Sequence, residues 1–292
     1  MEEKTVHSSA LRSRAENKAF VRSLLVNGAL LILTLPVVYF FYWLLSTSLV
    51  NSLTGEISLR NWQFLFGDLN LDAVIVPFIW PVLWFTVKFA VICTVVDILV
   101  VVPAAYAFSR LSFPGKRVLL KCLFFLNAFP SNTIVIAIFF MMVKLHLVNT
   151  LLGVVIVTVT MMAPNHVYML KGFFDDIPWD YEWAALVDGC SRFQSFRQVI
   201  LPSATNGIGV IFIFAFLRAY SEWFLFKILI FSTEYQTLAK LMQMMLMTDG
   251  DVIDYGVMAA LAIFFAIPVA IFYMVSQKQL MKISNLGGKK LA

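Results

Sequence analysis

Long apolar runs separated by short polar stretches are the most regular feature of this 292-residue chain. Six runs stand out, at 22–46, 80–109, 118–144, 148–172, 206–231 and 252–277. Each supplies about 20 apolar residues, the helix length that crosses a hydrocarbon layer of ~30 Å. The pattern predicts an all-α, polytopic membrane protein with six transmembrane helices. It also predicts a polar N-terminal tail at 1–21, a membrane domain at 22–277 and a C-terminal tail at 278–292. The first run is too long for the core of a signal peptide, and Met1–Lys18 carries no cleavage pattern, so it reads as a retained span.

Two segments between the runs carry patterns of their own. In the outer loop at 47–79, Ile57–Phe66 reads as a short amphipathic helix, either an aromatic anchor at headgroup level or a partner contact. The stretch between the fourth and fifth runs is about 30 residues long, too patterned for a flexible connection. There Trp183, Leu186 and Val187 recur at helical spacing around Ala184 and Ala185, and Gly189 stands where a helix C-cap falls. A second turn follows through Phe193, Phe196, Val199 and Ile200. Two short helices meeting at a small-residue corner make a compact knob. Small residues let a foreign surface approach closely, and Glu182 and Asp188 offer charged hydrogen bonds to orient it. The same pattern also fits a helix lying flat on the bilayer. Pro81, Pro103 and Pro202 near span ends fit bent helices in either case.

Composition agrees with the pattern. The chain is 61% hydrophobic and 13% charged, with mean hydropathy +0.85, whereas soluble domains are about a quarter charged. Lipid must be the solvent for much of it. The net charge of +5 would suit nucleic acid, but its distribution does not. Lys4, Arg12, Arg14, Lys18 and Arg22 precede or open the first run, and Arg110, Lys116, Arg117 and Lys121 surround the second loop. Lys171, Arg192 and Arg197 follow the fourth run, and Lys278, Lys282, Lys289 and Lys290 follow the sixth. The opposite side keeps only Arg60, Lys144 and Lys240. Positive residues stay on the cytoplasmic side, so both termini are expected there.

Five charges fall within the runs: Lys88, Asp97, Arg218, Glu222 and Lys227. A charge at the bilayer centre costs about 2.5–3.5 kcal/mol, so each needs a partner, water or a route out. Arg218 and Glu222 are four apart and suit each other, while Asp97 has no partner on its own helix. These charges either pair structurally or line a solute path. Asn165, Tyr220, Glu222 and Trp223 mix aromatic faces with polar groups, the combination that holds a sugar ring, and His166 adds polarity. The in-span charges leave one positive, which permits an acidic sugar. Cys93, Cys122, Cys190, His7, His146 and His166 form no metal-ligand spacing, so no metal site is expected. With no phosphate-cradling Gly-x-x-x-x-Gly-Lys-[Ser/Thr] run and no nucleophile motif, no catalytic residue and no enzyme activity are expected of this chain alone.

The 173–205 loop resembles the Glu-Ala-Ala, three residues, Gly, nine residues, Ile-x-Leu-Pro loop of the membrane subunits of ATP-binding-cassette importers. Ala184, Ala185 and Gly189 occupy the motif positions, Val199 replaces the isoleucine, and Leu201-Pro202 closes it. Trp183 stands at the motif's glutamate, with Glu182 one residue earlier; Asp188 before the glycine matches the carbohydrate-importer branch. Ala104–Gly115, Leu145–Thr150 and Leu286–Lys290 are similar to segments of maltose-transporter-type permeases. The resemblance implies a permease that pairs with a second, homologous permease and two ATPase subunits. An extracytoplasmic binding protein would deliver an oligosaccharide. Glu182, Ala184, Ala185, Asp188, Gly189, Leu201 and Pro202 would couple to the ATPase, with ATP and Mg bound there and no cofactor on this chain. The competing reading is an ion-coupled secondary transporter with Asp97 or Glu222 as proton site; that class shows inverted repeats, and none is clear here. A pathway-free membrane scaffold leaves the patterned loop unexplained.

Overall fold

The computed structural model describes residues 2–51, 54–71, 74–128, 131–232, 234–246 and 254–288. The helices are α1 (Glu2–Leu49), α2 (Ile79–Arg110), α3 (Lys116–Ala128), α4 (Ser131–Lys144), α5 (Leu151–Asp175), α6 (Trp179–Val187), α7 (Arg192–Ser195), α8 (Leu201–Ser203), α9 (Thr205–Tyr220), α10 (Phe224–Leu229), α11 (Leu238–Leu246) and α12 (Tyr255–Gly288). Four of them hold stretches long and apolar enough to cross a membrane: Ser23–Leu49, Ile79–Arg110, Leu151–Asp175 and Tyr255–Gln277. A fifth candidate is the pair Arg192–Ser203 and Thr205–Tyr220, bent by 73°. The described part of the run at 118–144 is α3 and α4, on either side of 129 and 130, and the run at 206–231 divides into α9 and α10. α1 continues without interruption through the expected tail boundary at 21/22, and α12 through the boundary at 277/278. Lys289 and Lys290 of the expected tail lie outside the described residues.

The chain forms two compact units. One gathers Met1–Trp62 with Asp254–Ile263. In it the end of α1 is closed by a bridge between Val50 and Ile57. The buried Asn61 amide donates to the carbonyls of Ser48 (3.0 Å) and Val50 (2.8 Å). Asp254 caps the start of α12 by accepting from the amides of Gly256 and Val257, both at 3.1 Å, and Arg60 lies 3.7 Å from its carboxylate. Ser23–Leu49 of α1 is apolar on all sides, as suits a helix long enough to cross a membrane.

The second unit gathers Gln63–Ile253 with Phe264–Ala292, and its core is α2, α5 and α9. Instead of an amphipathic helix over 57–66, the outer loop forms a 3-10 turn, Arg60–Leu65, followed by an antiparallel hairpin, β1 (Leu69–Leu71) with β2 (Val74–Val76). Small residues set the central packing. A Cβ on Gly207 of α9 would come 2.6 Å from the Phe173 ring of α5, so glycine lets the two helices close. At the far end, Asn149 adopts φ 59°, its amide donates to Leu229 (2.8 Å), and its side chain accepts from the amides of Phe231 and Ser232, each at 3.0 Å. That staple holds the loop before α5 against the end of α10. Thr237 caps α11 by accepting from Lys240, and the Leu238 amide donates to Thr86 of α2 (3.0 Å). Burial pulls the Lys240 ammonium below its usual lysine pKa.

Candidate functional site: the loop between α5 and α9

At the end of α2 a run of polar side chains meets the end of α5. Ser109 donates to Asp175 (2.6 Å), and Lys171 pairs with the same carboxylate. Arg110 turns inward until its side chain is 1% exposed, and its Nη2 donates to the carbonyls of Phe174 (2.7 Å) and Ile177 (2.5 Å). The Phe174 carbonyl also accepts from the Ile177 amide (3.2 Å), whereas the Ile177 carbonyl lies beyond the helix end, where backbone acceptors need other donors. A guanidinium, always charged and rich in donors, suits them.

The chain then reverses at Pro178 and begins α6. Asp180 and Glu182 lie in its first turn, where the positive end of a helix favours carboxylates. Glu182 is 2% exposed and points back at α2. Its Oε1 accepts from the Tyr106 hydroxyl at 2.9 Å, and Oε2 lies 3.8 Å from Arg110 Nε, an ionic contact longer than a hydrogen bond. The Trp179 ring covers Arg110, 4.5 Å from centroid to guanidinium carbon. A buried carboxylate without these partners would cost several kcal/mol. The cluster ties α6 to α2 and α5.

Gly189 ends α6 at φ +88°, a conformation glycine adopts freely and other residues rarely do. The turn then leads to Ser191, which caps α7 in a reciprocal pair with Gln194. Pro202 has no amide to donate, and just before it the helix widens into a π turn, Phe196–Ile200, closed by Leu201 N–H to the Phe196 carbonyl. The Phe196 ring lies 4.5 Å from Tyr106, so the second arm of the loop also leans on α2.

The predicted loop residues therefore divide by face. Glu182 and Ala185 point inward, with Leu201 half-buried, while Ala184, Asp188, Gly189 and Pro202 are exposed. Beside them Trp183 and Phe193 are exposed and Val187 is 86% exposed, an apolar patch on a polar end of the molecule. By sequence Glu182 is expected to face a partner; in the structure it shares the inward face of α6 with the buried Ala185. Tyr106 and Arg110 were missed as its partners. Their only sequence signal was membership in the Ala104–Gly115 segment.

The other predicted residues lie elsewhere. Asn165 is exposed in the middle of α5. Tyr220 is fully buried and donates to the Phe265 carbonyl (3.2 Å). Glu222 is buried at the α9–α10 break, where it pairs with Arg218 (2.7 Å) and accepts from the Leu225 amide (3.0 Å), with Trp223 half-buried beside it. The expected Arg218–Glu222 pair forms. Asp97 finds its partner on another helix: His166 Nδ1 of α5 is 2.7 Å from Asp97 Oδ2, both buried. Among the described residues no His, Cys, Asp and Glu group has metal-binding geometry.

Residues 101–282, which hold this whole loop, match the family model "Binding-protein-dependent transport system inner membrane component". The maltose/maltodextrin transport system permease protein MalG of Vibrio vulnificus is 31% identical over 255 residues, covering 82% of this chain and 86% of that protein. The trehalose transport system permease protein SugB of Mycobacterium tuberculosis is 30% identical over 272 residues, covering 91% and 94%. In fold, the chain is similar to a chain of a bacterial ABC transporter involved in import of the acidic polysaccharide alginate. The TM-score is 0.72 at 22% identity, over 87% of this chain and 95% of that one. Four helices suited to a bilayer, a loop tied inward by Glu182 and open outward at Val187, and these relatives lead to one assignment. This chain belongs to the binding-protein-dependent transport system inner membrane component family and is a multi-pass permease subunit of an ATP-binding-cassette importer.

Proposed function

We propose that this permease carries an oligosaccharide, delivered by an extracytoplasmic binding protein, through a path shared with a second, homologous permease. Two ATPase subunits bind ATP and Mg, and the 173–205 loop docks on one of them. The supporting observation is the two-faced α6: its inner face is fixed to α2 by Glu182, and its outer face is left to a partner. The sugar class is supported by the names of the relatives, maltose/maltodextrin and trehalose permeases. In this reading α3 with α4 and α9 with α10 each complete a span, giving six within 22–277. The tails at 1–21 and 278–292 then lie on the cytoplasmic side, where most Lys and Arg fall.

Asn165 and Trp223 are the residues proposed to face the solute. Tyr220 and Glu222 belong to the same path as its supports, bracing the α9–α10 break that must flex when the path opens. An acidic sugar is supported by one observation, the half-exposed Arg218 guanidinium beside that break.

Solute-stimulated ATP hydrolysis by the complex reconstituted with its binding protein tests the proposal. Gly189→Asp places a side chain at φ +88° and a charge on the docking corner. Stimulation is expected to vanish while the subunit still inserts and assembles. Full stimulation in this variant would reject the docking role.

A further inference from the structure

Between α3 and α5, beside the loop, lies an open cavity of about 560 Å³. One wall is apolar: Leu120, Phe124 and Phe125 of α3, the two phenylalanines exposed, with the Tyr168 ring of α5 tilted 6.2 Å from Phe124. Toward the polar end from these rings the lining changes to Lys121, Lys171 and Asp175, with Leu120 next to Lys121. Asp175 takes Lys171, whereas Lys121 and the Tyr168 hydroxyl have no hydrogen-bond or ion-pair partner among the described residues. Arg117, exposed, precedes Lys121 by one helical turn and adds to the same charge.

Gly172 supplies an independent observation. It sits inside α5, where glycine is costly relative to alanine, with no positive φ to justify it. A Cβ built there meets no atom within 4 Å, so no close approach within the chain requires it either. Gly172 lines the cavity. Its missing side chain leaves room for something outside the chain.

We propose that this cavity is a binding site for one anionic phospholipid. The phosphate lies between Lys121 and Lys171, with the Tyr168 hydroxyl as a further donor. Gly172, next to Lys171, leaves room for the headgroup, and the first part of an acyl chain lies over Phe124, Phe125 and the Tyr168 ring. Basic pockets between spanning helices at a membrane face take acidic headgroups in this way. A helix of the second permease fits less well, since it would bury Lys121 or bring an acid to it, while a lipid leaves both lysines at headgroup level. The site rests on α3 and α5 being embedded with their charged ends at one membrane face.

Native mass spectrometry of the assembled importer, titrated with dioleoylphosphatidylglycerol or dioleoylphosphatidylcholine, tests this. The wild type should retain one phosphatidylglycerol per permease in preference to phosphatidylcholine. Lys121→Gln with Lys171→Gln should weaken retention about thirtyfold, the worth of two surface lysines. Gly172→Leu should expel the lipid without lowering the thermal midpoint, because its side chain enters open space. Equal retention of the two lipids, or undiminished retention by Gly172→Leu, would overturn the site. So would cross-linking of a Gly172→Cys variant to the second permease. Solute-stimulated ATPase of the same samples reports separately on the importer reading, so a lost lipid site with intact stimulation rejects this proposal alone.

Discussion

Glu182 belongs to the loop proposed to dock a partner, yet its carboxylate faces groups of its own chain. A hydrogen bond from Tyr106 and the charge of Arg110 fix the inner face of α6. Removing one partner of a buried ion pair leaves the other uncompensated, at about 3–5 kcal/mol. Glu182→Ala is therefore expected to lower the unfolding midpoint of the detergent-solubilised subunit and to cut solute-stimulated ATPase at least tenfold. Tyr106→Phe leaves the charge pair and loses one hydrogen bond to a buried carboxylate, a change of about 1.5–3 kcal/mol, with coupling less impaired than in Glu182→Ala. Equal damage from both variants would remove the ionic contact from the account. The loop and Glu182 itself were legible in the sequence, from the small-residue corner and the spacing to Leu201-Pro202. The direction in which Glu182 points was not, because it depends on how α6 lies across α2. The Asp97–His166 contact had no local signal either, since its two residues are 69 positions apart on different helices.

At the scale of helices, apolar length located the membrane segments but not their interruptions. The Ser221–Trp223 break carries neither proline nor glycine and is held open by Glu222, which caps α10. Strands β1 and β2, three residues each, are too short to show a period of their own. Packing between α5 and α9 turns on Gly207, and here a substitution has a defined consequence. Gly207→Ala drives a methyl into the Phe173 ring and is expected to cost about 1–3 kcal/mol. Phe173→Leu in the same chain should return part of that loss, measured as the unfolding midpoint. If the second change only adds to the first, the contact is not the cause.

For the whole molecule, if α6 docks the ATPase as proposed, closure of that motor moves the spans only when α6 cannot slip on them. Three ties resist slipping here: Glu182 to Tyr106 and Arg110, Arg110 to the carbonyls ending α5, and Phe196 against Tyr106. Together they make α6 and the adjoining end of α2 one body. Spin labels at the exposed Val187 of α6 and Ser112 just past α2 measure this directly in the assembled importer. The account predicts the same 187–112 distance with and without ATP, Mg and loaded binding protein, while hydrolysis proceeds. A distance that changes on ATP binding in the wild type would show α6 sliding over α2 and would contradict it.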